Sequence, residues 1–425
     1  MYLSRLRRHG PQLECVVTLT EELALQQARR ADEELPNGVY RSPLQGIPWG
    51  AKDLLATRHY PTTWGATPWR EQVLDFDASV VQRLEAAGAV LVAKLVLGAL
   101  ANGDVWYGGT TRNPWNPEEG SSGSSAGSAS ATVAGLVGFS IGSETLGSIV
   151  SPSARCGATG LRPTFGRVSR HGAMTLCWTM DKLGPICRSV EDCALVLTAI
   201  YGPDGLDKTV NQETFRWNPE QGIEALRVGY VPSAFSPDDS GETGEASDRE
   251  NNINVLAALR SFGMDLHPVS LPAGDLESMR LILLAESAAA FDAMTRSDLD
   301  DQLRRQGESD WPNQLRSARF IPAVEYIQAN RYRLKLMQQM HALMQDIDVL
   351  VTPCYAGNVL DLTNLTGHPS LTLPNGFREN GTPTAISFVA GLNREDDLLS
   401  LAMAYQKATG WHRHCPPLFA VAGRG

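Results

Sequence analysis

Short apolar runs alternate along the chain with segments in which apolar positions recur every three or four residues. Continuous apolar runs read as buried strands, and the wider spacing reads as helix. Residues 78–87 predict a helix that Gly88 terminates, and Ala89-Val90-Leu91-Val92-Ala93 then predicts a buried strand. Leu226–Val231 predicts a strand, Asn251–Phe262 a helix and Ala323–Met344 a long helix. Asp348–Thr352 and Ala385–Val389 predict further strands, with a closing helix over Asp396–Thr409. Alternation of the two patterns predicts an α/β fold around a central sheet. Ser236–Arg249 is acidic and rich in turn residues, which predicts a loop rather than a domain boundary. No internal repeat interrupts the pattern.

Composition narrows the class. The 425 residues would fill two or three average domains or one large α/β unit. A hydrophobic content of 43% is globular, as is the mean hydropathy of −0.18. A net charge of −10 argues against a nucleic-acid partner. No apolar run approaches the ~20 residues of a membrane helix. The basic start, Met1–Arg8, precedes no apolar signal region, so a cytoplasmic location is expected. Cys15, Cys156, Cys177, Cys187, Cys193, Cys354 and Cys415 are odd in number and form no CxxC pair, which predicts reduced thiols. Cys156 is expected to act as a small buried hydrophobe. His412, His414 and Cys415 sit beside Pro416-Pro417 and read as a surface tail, and no metal or other cofactor is implied.

Two stretches carry candidate chemistry. Gly120–Ala129 reads Gly-Ser-Ser-Gly-Ser-Ser-Ala-Gly-Ser-Ala, and Gly142–Ser148 reads Gly-Ser-Glu-Thr-Leu-Gly-Ser. Such composition is that of a flexible linker. Yet the first stretch runs directly into small apolar residues that lack a linker's charge. A phosphate-binding loop is disfavoured: there is no lysine between Lys94 and Lys182, and Asn113–Glu119 is turn chemistry where a strand is needed. Lys52 follows the apolar Gly-Ile-Pro-Trp-Gly-Ala. A lysine beside strand-like residues, with two serines among glycines, can form a base, a proton relay and a nucleophile with oxyanion donors. None of the eight histidines lies in a Ser-His-Asp sequence pattern, although a triad assembled in space stays open.

Residues 120–170 resemble the signature block of the amidase signature family. The family carries Gly-Gly-Ser-Ser-Gly-Gly-Ser, then Gly-Ser-Asp-Thr-Gly-Gly-Ser-Ile-Arg, then Cys-Gly-x-x-Gly-Leu-Lys-Pro-Thr. Pro43–Pro48 with Lys52-Asp53, Thr111–Trp115, Thr366–Pro374 and Gly376–Gly381 extend the likeness over nearly the whole chain. The resemblance implies a single large mixed, twisted sheet covered on both faces by helices, one domain over 1–425, with a less family-like helical segment at about 270–330. It implies a Ser-Ser-Lys triad: Ser148 as acylated nucleophile, Ser124 as bridging serine at a cis peptide, and Lys52 as terminal base. Backbone amides of Thr145, Leu146, Gly147 and Ser148 would receive the oxyanion. Leu100 and Ala101 match a substrate-lining stretch, and Trp106, Met174 and Trp178 join them as pocket candidates; ordinary core packing is the competing role for each.

To act as base, Lys52 must be neutral. A free lysine titrates near 10.4, so neutrality at pH 7 requires roughly 4.6 kcal/mol of differential destabilisation, which burial among Ile47, Trp49, Ala51, Leu54 and Leu55 can supply. If the segment is a strand, Asp53 faces away from Lys52. Three departures stand out: Glu144 and Val150 replace the family's Asp and Arg, and Leu146 replaces a glycine, narrowing the acyl side of the pocket. Arg155 is expected to replace the missing guanidinium and pair with Glu144.

The resulting expectation is an amidohydrolase acting on a small or medium uncharged amide, with carbamate (urethane) or aryl ester hydrolysis open as well. Its partner is the small-molecule amide or carbamate substrate, with no nucleic acid and no membrane, and it acts as a monomer or homodimer. Two alternatives remain: the A subunit of a glutamine-dependent tRNA amidotransferase, and a catalytically dead binding protein on the same scaffold.

Overall fold

The computed structural model describes residues 1–236 and 246–420. Most of the acidic 236–249 connection therefore lies outside the described residues. The strands are β1 (Val16–Leu19), β2 (Pro48–Lys52), β3 (Val90–Leu95), β4 (Val105–Trp106), β5 (Gly109–Thr110), β6 (Phe139–Glu144) and β7 (Thr159–Arg162). They continue with β8 (Lys182–Cys187), β9 (Val228–Tyr230), β10 (Leu266–Pro268), β11 (Val349–Pro353), β12 (Ser370–Phe377) and β13 (Pro383–Ala390). Eleven form one mixed sheet in the order β1-β3-β2-β6-β8-β7-β12-β13-β11-β9-β10, while β4 and β5 make a separate hairpin. Helices surround this sheet, as the alternating pattern predicts.

β3 reads as an apolar run because both of its faces are covered. All six residues of β3 are buried. The strand passes beyond Ala93 through Lys94, which the apolar pattern excluded. Lys94 is tolerated because its ammonium meets Asp53 at 2.9 Å, with both side chains fully buried. Asp53, in the turn just past the end of β2, is thus spent on Lys94 and not on Lys52.

Predicted helices recur at Ser79–Ala86, Ala246–Ser261, Ala323–Asp346 and Glu395–Thr409. The second begins before the predicted Asn251, since polar residues at a helix start carry no apolar signature. The 270–330 region is helical, with Leu276–Met279, Leu281–Ala290, Asp292–Arg296 and Trp311–Ala318. It is tied to the rest of the protein where Trp311 Nε1 donates to the Leu100 carbonyl at 3.0 Å. Among the described residues, no helix is long and apolar enough to cross a membrane.

The Gly/Ser run is the interior of the protein and not a linker. Helix Ala126–Val133 is buried at every position. A Cβ on Gly127 would lie 2.4 Å from the Cys15 carbonyl oxygen and 2.6 Å from Val96 N, so small residues here allow helix and sheet to touch through backbone.

Candidate active site

Lys52 is the last residue of β2, and β6 runs parallel beside it with Ala51 opposite Ile141. Lys52, Ser143 and Glu144 therefore emerge together at the carboxyl ends of two adjacent parallel strands, where open α/β sheets bind ligands. The third contribution is the turn before helix Ala126–Val133, which carries Ser124 and Ser125; the Gly123–Ser124 peptide is cis. Gly142 on β6 admits this turn, since a Cβ there would lie 2.8 Å from Ser125 Oγ.

Lys52 Nζ, fully buried, lies 2.9 Å from Ser124 Oγ, 2.9 Å from Ser125 Oγ, 2.8 Å from Ser143 Oγ and 3.3 Å from the Ser143 carbonyl. Hydrogen counting orients the amine. Ser125 Oγ donates its hydrogen to Ser143 O at 3.1 Å and receives the Ser143 N–H at 3.2 Å, so towards Lys52 it acts only as acceptor. A neutral amine has two hydrogens and one lone pair. With one hydrogen on Ser125, a neutral amine can place the other on a Ser143 oxygen and turn its lone pair to the Ser124 hydroxyl. Burial pushes Lys52 well below the usual lysine range, against the opposing charges of Asp181 and Glu144.

Ser148 sits on the loop between β6 and helix Val150–Cys156 and is 8% exposed. Its carbonyl accepts the Ser125 N–H at 3.1 Å, which locks the two serine segments together. Gly147 turns the loop with φ 88°, a conformation that favours glycine. Glu144 anchors the loop from below. Its Oε2 accepts the amides of Ile149 (2.7 Å) and Val150 (2.9 Å), while Oε1 accepts Arg162 Nη1 and Asn364 Nδ2, each at 2.7 Å. Burial opposes its charge, but Arg162 and Lys182 overcome this and hold the carboxyl at about 2. The amides of Thr145, Leu146, Gly147 and Ser148 have no protein acceptor among the described residues, which leaves them free to bind an oxyanion.

Arg155 does not pair with Glu144. It reaches Glu119 at 3.3 Å in a half-exposed bridge, while the buried partner is Arg162 at the end of β7. Strand β8 separates β6 from β7, and the Arg162 side chain spans that gap; the sequence places the two residues eighteen apart, with no periodicity to link them.

A cavity of about 200 Å³ opens beside this site, with Ser143 and Thr145 in its wall. Of the anticipated pocket residues, Ala101, Met174 and Trp178 line it. Leu100 and Trp106 do not. Leu100 is fully buried in the core, and Trp106 packs edge-on against Tyr107 at 4.7 Å. Leu146 is absent from the wall as well, packing instead against the cluster that contains Cys177 and Met180.

Several functional groups escaped the sequence reading. Ser125 and Ser143 belong to the two glycine-rich stretches but match no catalytic spacing. Asp181, just before β8, lines the cavity; its Oδ1 accepts Thr145 Oγ1 at 2.6 Å and its Oδ2 accepts the amides of Leu176 (2.8 Å) and Cys177 (2.9 Å). Burial raises its carboxyl above the usual range. The only sequence signal for it is a carboxylate, with Lys182, at the start of an otherwise apolar strand. His171 also lines the cavity but forms no Ser-His-Asp relay: its neighbour Ser79, 3.3 Å away, gives its hydrogen to Asp204 at 2.5 Å. Cys156 is fully buried and burial pushes its thiol up, which leaves it inert.

A mixed eleven-stranded sheet ringed by helices, with a buried lysine and serines at its centre, defines a hydrolase of the amidase fold. The Amidase family model matches residues 1–363. The chain is 33% identical to the A subunit of the glutamyl-tRNA(Gln) amidotransferase of Methylococcus capsulatus, covering 98% of this chain and 94% of that one. Its structure is similar to that of the native peptide amidase of Stenotrophomonas maltophilia, with a TM-score of 0.84, 31% identity and coverage of 99% and 94%. It is also similar to a chain solved in a protein complex bearing on an s-triazine catabolic enzyme (TM-score 0.86, 28% identity, coverage 96% and 94%). The chain belongs to the amidase family. It is an enzyme that acts on carbon–nitrogen bonds.

Proposed function

We propose that the protein hydrolyses a small or medium uncharged amide through an acyl-enzyme on Ser148. The observation that carries this reading is Lys52, buried with no carboxylate in bonding distance among the described residues and aimed by Ser125 and Ser143 at the Ser124 hydroxyl. Ser148 attacks the carbonyl and its proton passes through Ser124 to Lys52. The tetrahedral oxyanion is received by the amides of residues 145–148. The relay then returns the proton to the departing amine, and water activated along the same path releases the acid. Carbamates and aryl esters present the same carbonyl and fall within reach of this chemistry.

The likeness to the amidotransferase A chain supports a second reading, in which the ammonia released from glutamine is passed on within a larger assembly. One set of experiments separates the two. The purified chain should hydrolyse simple aliphatic or aryl amides unaided, and a fluorophosphonate should label Ser148 covalently. Activity confined to glutamine, and only when partner proteins captured by pull-down are present, would favour the second reading. Failure to label Ser148 would reject both and leave a binding protein on the amidase scaffold.

A further inference from the structure

Two large apolar side chains stand in water at the edge of the cavity. Trp178 is 48% exposed and Leu206 is 58% exposed, and both line the same space as Ser143 and Thr145. Neither sits on a loosely held loop. Leu206 N donates to Asp204 Oδ1 at 2.8 Å and Asp207 N to the same oxygen at 3.1 Å, which closes the 204–207 turn. On the other side, the amide of Thr179 next to Trp178 donates to buried Glu286 at 3.0 Å. Arg170 joins the two loops. Its Nε donates to Asp207 Oδ2 at 2.9 Å, Nη2 to Thr209 Oγ1 at 2.8 Å, and Nη1 to the Trp178 carbonyl at 2.6 Å.

The same bonds decide which ligands the cavity accepts. Every nitrogen of the Arg170 guanidinium already has an acceptor, and its charge is matched by Asp207. Asp181, the other acid in the wall, spends both oxygens on Thr145 and two backbone amides. A ligand carboxylate, such as that of an amino-acid head group, would meet two acids and no unmatched cation. Desolvating that charge without a partner is costly. An apolar chain would instead cover Trp178 and Leu206, whose exposure is fixed by the loops and costs no ordering on binding.

We propose that this cavity is an acyl-chain site for neutral aryl or branched aliphatic groups, rimmed by Trp178 and Leu206 and stapled by Arg170. The proposal rests on the amidase reading and names its substrate class: primary amides of neutral apolar acids, in preference to amides that carry a free amino-acid head group.

The test uses 3-phenylpropionamide and L-glutamine, which share the primary amide but differ in the chain beyond it. Binding is measured by calorimetry on Ser148→Ala, where no turnover intervenes, and the ratio of kcat/KM for the two compounds is measured on the intact enzyme. Ser148→Ala should bind 3-phenylpropionamide at least tenfold more tightly than glutamine. Adding Trp178→Ala or Leu206→Asn should each weaken that binding tenfold or more, with thermal melting unchanged because both residues are exposed. Tighter binding of glutamine, no binding of 3-phenylpropionamide, or binding unaffected by both substitutions would overturn the proposal. If binding behaves as stated but the intact enzyme hydrolyses neither compound, the apolar site stands and the hydrolytic reading falls.

Discussion

Arg162 and Glu144 form a fully buried ion pair at 2.7 Å directly beneath the loop that carries Ser148. The pair is completed by Asn364 and by two backbone amides, so the carboxylate has no unmet lone pair to make it costly. Removing one member of such a pair leaves an uncompensated buried charge. Arg162→Ala should therefore destabilise the protein by about 3–5 kcal/mol in denaturant unfolding. Arg155→Ala, breaking the half-exposed bridge to Glu119, should cost under about 1 kcal/mol. A double-mutant cycle with Glu144→Gln should show strong coupling to Arg162 and none to Arg155.

In the proposed relay the base form of Lys52 would set the pH dependence. Protonation removes the lone pair that faces Ser124, so kcat should fall as pH is lowered, with the limb lying below the usual lysine range because burial depresses the group. Asp181 opposes that depression. Asp181→Asn should therefore move the acid limb to still lower pH, as read from a pH–rate profile under conditions where chemistry limits turnover. Lys52→Ala should cost about 10²–10⁴-fold in kcat, the usual contribution of a general base.

Ser125 orients the base without joining the relay. Ser125→Ala deletes the acceptor that fixes one Lys52 hydrogen, and misalignment of this kind costs about 10²-fold. The loss should appear in kcat, with KM changed little, because Ser125 is fully buried behind Lys52 and away from the cavity wall. A loss confined to KM would contradict this role.

Lys182, opposite Glu144 on β8, is a third buried lysine after Lys52 and Lys94, and among the described residues its ammonium bonds only to the Met180 carbonyl. Burial, reinforced by Arg162, lowers it to about 7 against the pull of Glu144 and Asp181. Its folded value lies below the unfolded one, so between the two the unfolded chain holds more protons and stability rises with pH. From pH 7 to 10, the Tm of the wild type should therefore rise relative to that of Lys182→Met.

Residues that act through local pattern were legible in the sequence. Lys52, Ser124 and Ser148 each sit in a short motif of glycines or apolar residues, and β3, β11 and β13 announced themselves as apolar runs. What the sequence concealed depends on strand register. The contact of Arg162 with Glu144 exists because β6, β8 and β7 are neighbours, an order that chain position does not reveal. Leu100 is a pocket candidate because it matches a substrate-lining stretch, with Trp106 a candidate beside it, yet neither lines the cavity. Leu100 instead faces the core at φ 52°, beside Ala101, which does reach the cavity. The run around Ser124 has linker composition, and only its close approach to Cys15 and Val96 explains why such small residues are needed.

In the proposed relay Lys52 can serve as an unprotonated base because burial lowers its pKa, so the reactivity proposed for Ser148 would be a property of the finished fold rather than of any segment. Strand β2 arrives early in the chain, the serine turn and β6 much later, and the burial that neutralises the amine exists only once they have met. A nascent or partly opened chain keeps its lysine wet and charged, and its serines are ordinary alcohols. On that reading the enzyme is dormant until assembled, and a local opening that admits water to Lys52 would silence it.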